Sequence, residues 1–161
     1  MNDDNIETVW RPDVTVATII PRDGHFLLVE EIVRGNLVLN QPAGHLEPNE
    51  SLLDAARRET LEETGWSVEL TDFVGVYQWT RPEDGWQVVR FAFAARPLRH
   101  DPALPLDNGI VRALWLNRDD IAAPSARVRS PMVLRNIDDW LAGVRLPLDA
   151  LVRVVSATSQ R

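Results

Sequence analysis

The chain has 161 residues, 45% of them hydrophobic and 25% charged, which suits one folded domain with a real core and leaves two domains cramped. Seventeen basic residues against twenty-four acidic ones give a net charge of −7, so tight binding to a nucleic-acid backbone, which needs a basic footprint, is not expected. The absence of cysteine excludes disulfides, zinc–thiolate centres and thiol nucleophiles, and no apolar run is long enough to span a bilayer.

Residues 1–12 read as an N-terminal arm, acidic at first and without the charged-then-apolar order of a secretory signal. Residues 13–155 read as a single domain and 156–161 as a C-terminal tail. A cytoplasmic protein, monomeric or homodimeric, is the expectation. Within the domain, residues 13–20 (DVTVATII) form a β-rich run that Pro21 ends. Asp23-Gly24 is a hairpin signal and residues 25–33 (HFLLVEEIV) the returning strand. After a turn at residues 34–36, residues 37–40 form a short strand, and Pro42-Ala43-Gly44 opens a loop that runs to Asn49. Residues 52–64 form a helix, with Ser51 and Asp54 as a capping box and Gly65 as the stop. Strands follow at residues 67–80 and 86–95, then a proline-rich loop over 96–109 and a strand at 110–116. Ser130-Pro131 begins a second helix, with Ser130 as N-cap. Its apolar stripe is Val133, Ile137, Trp140, Leu141 and Val144. Strands, helix, strands, helix is the order of an α/β or α+β layered domain with a mixed sheet.

The first helix breaks local electrostatic rules. Glu59, Glu62 and Glu63 stand at i, i+3 and i+4 and fan over an arc of roughly 100°. Like charges at that spacing repel, and the helix dipole disfavours anions in the last turn. Arg58, the i+4 neighbour of Asp54, relieves only part of this. A hard divalent cation resolves the remainder, since Mg²⁺ takes carboxylate oxygens and keeps positions open for water and phosphate. A solvated acidic face is the plain alternative for any single Glu-rich helix.

The spacing around the helix decides between them. Gly44, five residues, Glu50, seven residues, Arg58-Glu59, two residues, Glu62-Glu63, one residue, Gly65 and the bulky Trp66 together resemble the Nudix box. Seven identities at roughly one in fifteen each make a chance match on the order of one in a million for a chain this long. One position departs: Thr60 stands where a bulky aliphatic is usual, which bears on packing more than on chemistry. Val14-Thr15-Val16, the run NQPAGHLE over 40–47, Tyr77-Gln78-Trp79, Arg90-Phe91, Arg129-Ser130-Pro131 and Leu146-Pro147-Leu148 extend the likeness toward the NudJ phosphatase branch.

The resemblance implies an α/β/α sandwich with the box as loop–helix–loop, and metal-dependent cleavage of phosphoanhydrides with Mg²⁺ or Mn²⁺. It makes Glu62 and Glu63 metal ligands and Glu59 a further ligand or the group that orients the attacking water. The main-chain carbonyl of Ala43 is an additional ligand, with Gly44 clearing its approach. Arg58 joins the three glutamates in the catalytic set and pairs with Glu50, fixing the loop to the helix; Gly65 completes the box. Many relatives carry a late-loop carboxylate six residues before a Trp, but here Gly109 occupies that place before Trp115. Asp107 is the nearest substitute, or else an exposed loop aspartate. Arg90 and Arg129 are candidate phosphate contacts, and Tyr77 and Trp79 candidate ring stackers. The other readings of these four are surface strand, cap flank and core. The partner implied is a small nucleotide or pyrophosphate. Three functions stand. The first is release of orthophosphate from nucleoside tri- and diphosphates and from a hydroxymethylpyrimidine pyrophosphate, a thiamine precursor. The second is cleavage between inner phosphates of nucleoside triphosphates or nucleotide sugars. The third is nucleotide sensing without turnover, a reading the three retained glutamates disfavour.

Overall fold

The structure is a computed structural model and describes residues 9–155; most of the expected N-terminal arm and all of the tail lie outside the described residues. Its elements are β1 (Asp13–Ile19), β2 (Pro21–Arg22), β3 (His25–Val33), β4 (Asn36–Asn40), β5 (Ala43–His45), α1 (Leu52–Thr64), β6 (Trp66–Thr80), β7 (Gln87–His100), β8 (Ile110–Asn117), α2 (Arg118–Ala122), α3 (Met132–Leu141) and a 3-10 turn, Leu148–Ala150.

A mixed sheet runs in the order β5-β1-β7-β6, with β1 parallel to β7 and its other pairs antiparallel. The second sheet is antiparallel: β3 pairs with β2, β4 and β8. Strands β1, β3 and β7 bury both faces over part of their length, which explains their near-continuous apolar runs there. Neighbouring residues alternate between two clusters with the period of two that a strand imposes. Val16, Leu27 and Phe93 join Ala55 and Ala56 of α1, whereas Ile19, Leu28, Ala92 and Ala94 join Val133 and Ile137 of α3. The two helices therefore cover separate cores, and the α/β/α layering expected of the family is present.

The first helix spans the residues read from the sequence. The backbone N–H of Asp54 donates to Ser51 Oγ at 3.1 Å, and Gly65, at φ 71°, closes the other end with its N–H on the Leu61 carbonyl. The structure corrects the sequence reading elsewhere. The loop expected over 96–109 begins later, because β7 continues through Pro97 to His100, paired with Trp66 to Glu69; a register shift between Ser67 and Val68 adjoins the proline. The loop after Pro42 contains β5, tied to Thr15, Val16 and Ala17. Helix α2, capped by Asn117, went unpredicted. Ser130 does not cap α3: Pro131 holds the cap position and Ser130 Oγ has no partner. Leu141, placed on the buried stripe, is half exposed, while Trp140 and Val144 do pack on the core.

Candidate active site

Loop, strand and helix meet where β5 leaves the sheet. Glu59 and Glu63 lie on the buried side of α1 with Ala55, Ala56 and Thr60, so the glutamates face protein rather than solvent. Thr60, the departure from the box, pins the helix down through its hydroxyl. It donates to the Ala56 carbonyl at 2.7 Å and accepts from Thr18 of β1 at 2.8 Å. The Thr18 N–H in turn holds the Pro42 carbonyl at 3.0 Å, next to Ala43. The Ala43 N–H donates to Glu63 Oε2 at 2.9 Å, which fixes that carboxylate beside the loop.

Arg58 is the electrostatic hub. Its Nη2 donates to Glu50 at 2.7 Å and to the His45 carbonyl at 3.1 Å. Its Nη1 donates to Glu59 at 2.7 Å and to Glu62 at 3.2 Å. Glu50 also accepts from the Glu47 N–H at 2.7 Å, closing the loop on itself. The hydrogen bond from Arg58 holds the Glu50 carboxyl below its usual range, and Glu50 raises the Arg58 guanidinium in return. Gly44 lies against the Glu59 carboxylate so closely that a β-carbon there would overlap it.

A cavity of about 340 Å³ opens over this face, lined among others by Glu31, Glu59, Glu63, Arg90, Asp107 and Arg129. Burial pushes Glu63 up to about 8, and Glu31, Glu59 and Asp107 push the same way. Burial likewise raises Glu59, against the opposing pull of Arg58. Glu62, expected with them, is not part of this lining; its side chain is 46% exposed. Asp107 reaches the site because its N–H donates to the Glu62 carbonyl at 2.9 Å, docking the late loop on the end of α1. Arg90 is buried, and Arg129 pairs with Glu31 at 3.4 Å. Trp79 lines not this cavity but a larger adjoining hollow of about 680 Å³, which shares Trp86 and Arg129 with it. Tyr77 lines neither; its hydroxyl donates to Asp139 of α3 at 2.8 Å, and burial pushes it up to about 12.

Sequence reasoning missed Glu31, Trp86, Thr15 and Asn40. A signal existed for the first: Glu30-Glu31 interrupts the apolar run of β3, and Glu31 accepts from Asn40 Nδ2 at 3.0 Å inside the cavity. Among the described residues no three acidic or histidine side chains surround one point; Arg58 and the Ala43 N–H engage the carboxylates. The donors still suit a hard cation. Glu59, Glu62, Glu63 and the Ala43 carbonyl are all oxygen donors, and a cation would relieve the cost of ionising buried Glu63.

A helix whose Arg58 ties it to the Gly44–Glu50 segment, within an α/β/α sandwich, marks a phosphohydrolase class, and the chain belongs to the Nudix family: the NUDIX domain profile matches residues 9–137. It is a Nudix hydrolase, and members of the family generally use a divalent metal and act on small phosphorylated molecules. The chain is 39% identical over 143 residues to "Phosphatase NudJ" of Escherichia coli K12, covering 89% of this chain and 92% of that protein. A "NUDIX hydrolase from Nitrosomonas europaea" superposes with a TM-score of 0.86 at 48% identity, covering 89% of this chain and 98% of that one. The MutT protein of Methanosarcina mazei shares the fold at a TM-score of 0.65 and 21% identity, over 84% of this chain and 99% of its own.

Proposed function

We propose that this hydrolase releases orthophosphate from nucleoside tri- and diphosphates and from a hydroxymethylpyrimidine pyrophosphate, with Mg²⁺ or Mn²⁺ held by Glu59, Glu62, Glu63 and the Ala43 carbonyl. The observation that carries the proposal is the sorting of charge within one cavity: Glu59, Glu63 and Asp107 line it together with Arg90 and Arg129. Carboxylates alone would repel a polyphosphate, and guanidiniums alone would bind it without activating water. The likeness to a protein named as a phosphatase supports orthophosphate as the product.

In this mechanism Arg90 and Arg129 neutralise and orient the phosphate chain, which is most of what in-line phosphoryl transfer requires. A bound cation would supply Lewis acidity and acidify a water molecule. Glu59 would be a further ligand or would orient the attacking water, and Gly44 lets its carboxylate lie close to the loop. Glu63 must stay ionised to serve as a ligand, and the Ala43 N–H keeps its orientation. Asp107 supplies negative charge from the late loop. Trp79 and Trp86, edge-to-face at a centroid distance of 6.2 Å, offer the adjoining hollow as a place for a heteroaromatic ring. The proposed setting is a cytoplasmic monomer or homodimer with one domain over residues 13–155. A substrate panel with Mg²⁺ and chromatographic product identification tests the function. Orthophosphate is expected; nucleoside monophosphate and pyrophosphate as sole products from a triphosphate, or no turnover at all, would overturn it.

A further inference from the structure

The cavity also holds buried polar atoms that none of the glutamates engages. Among the described residues eight buried side-chain nitrogen and oxygen atoms lack a hydrogen-bond partner. Half of them belong to this one cavity: Thr15 Oγ1, Asn40 Oδ1, Arg90 Nε and Arg90 Nη1. Leaving polar atoms buried without partners is costly, so their gathering at one place points to a guest that satisfies them. Arg90 is only 5% exposed and makes no ion pair among the described residues, unlike Arg129, which Glu31 engages. Thr15 lies directly opposite Arg90 in the parallel β1–β7 register, so the two side chains leave the sheet on the same side.

We infer that Arg90 and Thr15 form a seat for the terminal, unesterified phosphoryl group of the substrate, and that this seat directs cleavage to the outermost phosphoanhydride. The inference rests on the hydrolase reading above and names the residues that select the bond. A guanidinium fork and a hydroxyl donate to a tetrahedral oxyanion, and Asn40 Oδ1 accepts from a phosphate hydroxyl. Thr15, Asn40 and Arg90 are all buried where they line the cavity. A terminal phosphoryl group presents three unbridged oxygens to the fork and the hydroxyl, whereas an inner phosphate presents two, so the end group satisfies more of these donors. Water adds its oxygen to the seated phosphorus, the bridging oxygen departs with the bonding pair on the shortened substrate, and one proton is released. Burial and the nearby Arg129 pull Arg90 down to about 10, which leaves it charged at neutral pH.

The test uses the whole protein and inorganic phosphate as probe, with affinity read by calorimetry in the presence of Mg²⁺. Thr15→Val, which keeps the shape and removes the hydroxyl, is expected to weaken orthophosphate binding by about threefold to tenfold. Arg90→Lys, which keeps the charge and loses the fork, is expected to weaken it by about thirtyfold or more. In both variants the ratio of orthophosphate to pyrophosphate released from a nucleoside triphosphate should fall. A Thr15→Val protein that binds orthophosphate as wild type does, with an unchanged product ratio, overturns the seat even if Arg90→Lys fails to fold. Wild-type hydrolysis is scored separately: a wild type that binds orthophosphate yet hydrolyses no phosphoanhydride overturns the hydrolase reading and with it the cleavage role. A wild type that hydrolyses, paired with variants that bind normally, overturns the seat alone.

Discussion

Replacing Gly44 with alanine puts a methyl group into the Glu59 carboxylate, although the backbone there has no need of glycine's conformational freedom. The contact is with the carboxylate end of a side chain, so Glu59 moves and the strand stays. The displacement breaks the 2.7 Å hydrogen bond from Arg58 Nη1. A charge-assisted, partly buried bond of this kind contributes about 1.5–3 kcal/mol. At about 2–4 °C per kcal/mol for a chain of this size, Tm should fall by about 3–12 °C. The lower end is expected, since burial already penalises ionised Glu59 and an outward shift relieves that. Activity should suffer more: displacing a reacting group by about 1 Å costs about a hundredfold. Thermal unfolding without metal and orthophosphate release with Mg²⁺ measure the two effects. Combining Gly44→Ala with Glu59→Gln should add little further loss, because both disable one carboxylate. Wild-type turnover in Gly44→Ala, or full additivity in the double variant, would refute the assignment of Glu59.

Glu63→Gln should lower the orthophosphate-release rate by about a hundredfold or more while the fold persists, since an amide oxygen still accepts from the Ala43 N–H. Circular dichroism and a turnover assay check this. Glu63 is raised in the folded state from 4.5 to about 8, so the unfolded chain holds fewer protons between those values. Metal-free stability should therefore fall as pH rises through that window; urea titrations across pH should show a shallower fall in Glu63→Gln than in wild type, the remainder coming from Glu59, which burial also raises. Thr60→Val removes the hydroxyl shared by Thr18 and Ala56 and should cost about 1–2 kcal/mol in denaturant while leaving the turnover number within about twofold. Chelation should abolish hydrolysis, and added Mg²⁺ or Mn²⁺ should restore it; full activity in chelator would sink the metal assignment.

Much of the site was legible because its chemistry is local. Glu59, Glu62 and Glu63 share a helix face by periodicity alone, and Ser51 and Gly65 bound that helix by capping rules that act within a few residues. What escaped depends on contacts between distant segments. Pro97 reads as a loop residue until its strand is paired with Trp66 to Glu69, and Ser130 reads as a cap until Pro131 takes the position. Glu31 and Thr15 lie in strands far from the box in sequence, and neither was read as part of the site. Their cavity exists only because β1, β3 and β7 converge on the box. Tyr77 shows the converse: aromatic chemistry near Trp79 in sequence, but an OH committed to Asp139 on the far helix.

The arginine that gathers Glu50, Glu59 and Glu62 lets the chain itself balance the acidic face. A cation held as proposed would take over two of those carboxylates, while Glu50 and the His45 carbonyl would keep the guanidinium moored. Loading would then be a swap of partners rather than a refolding.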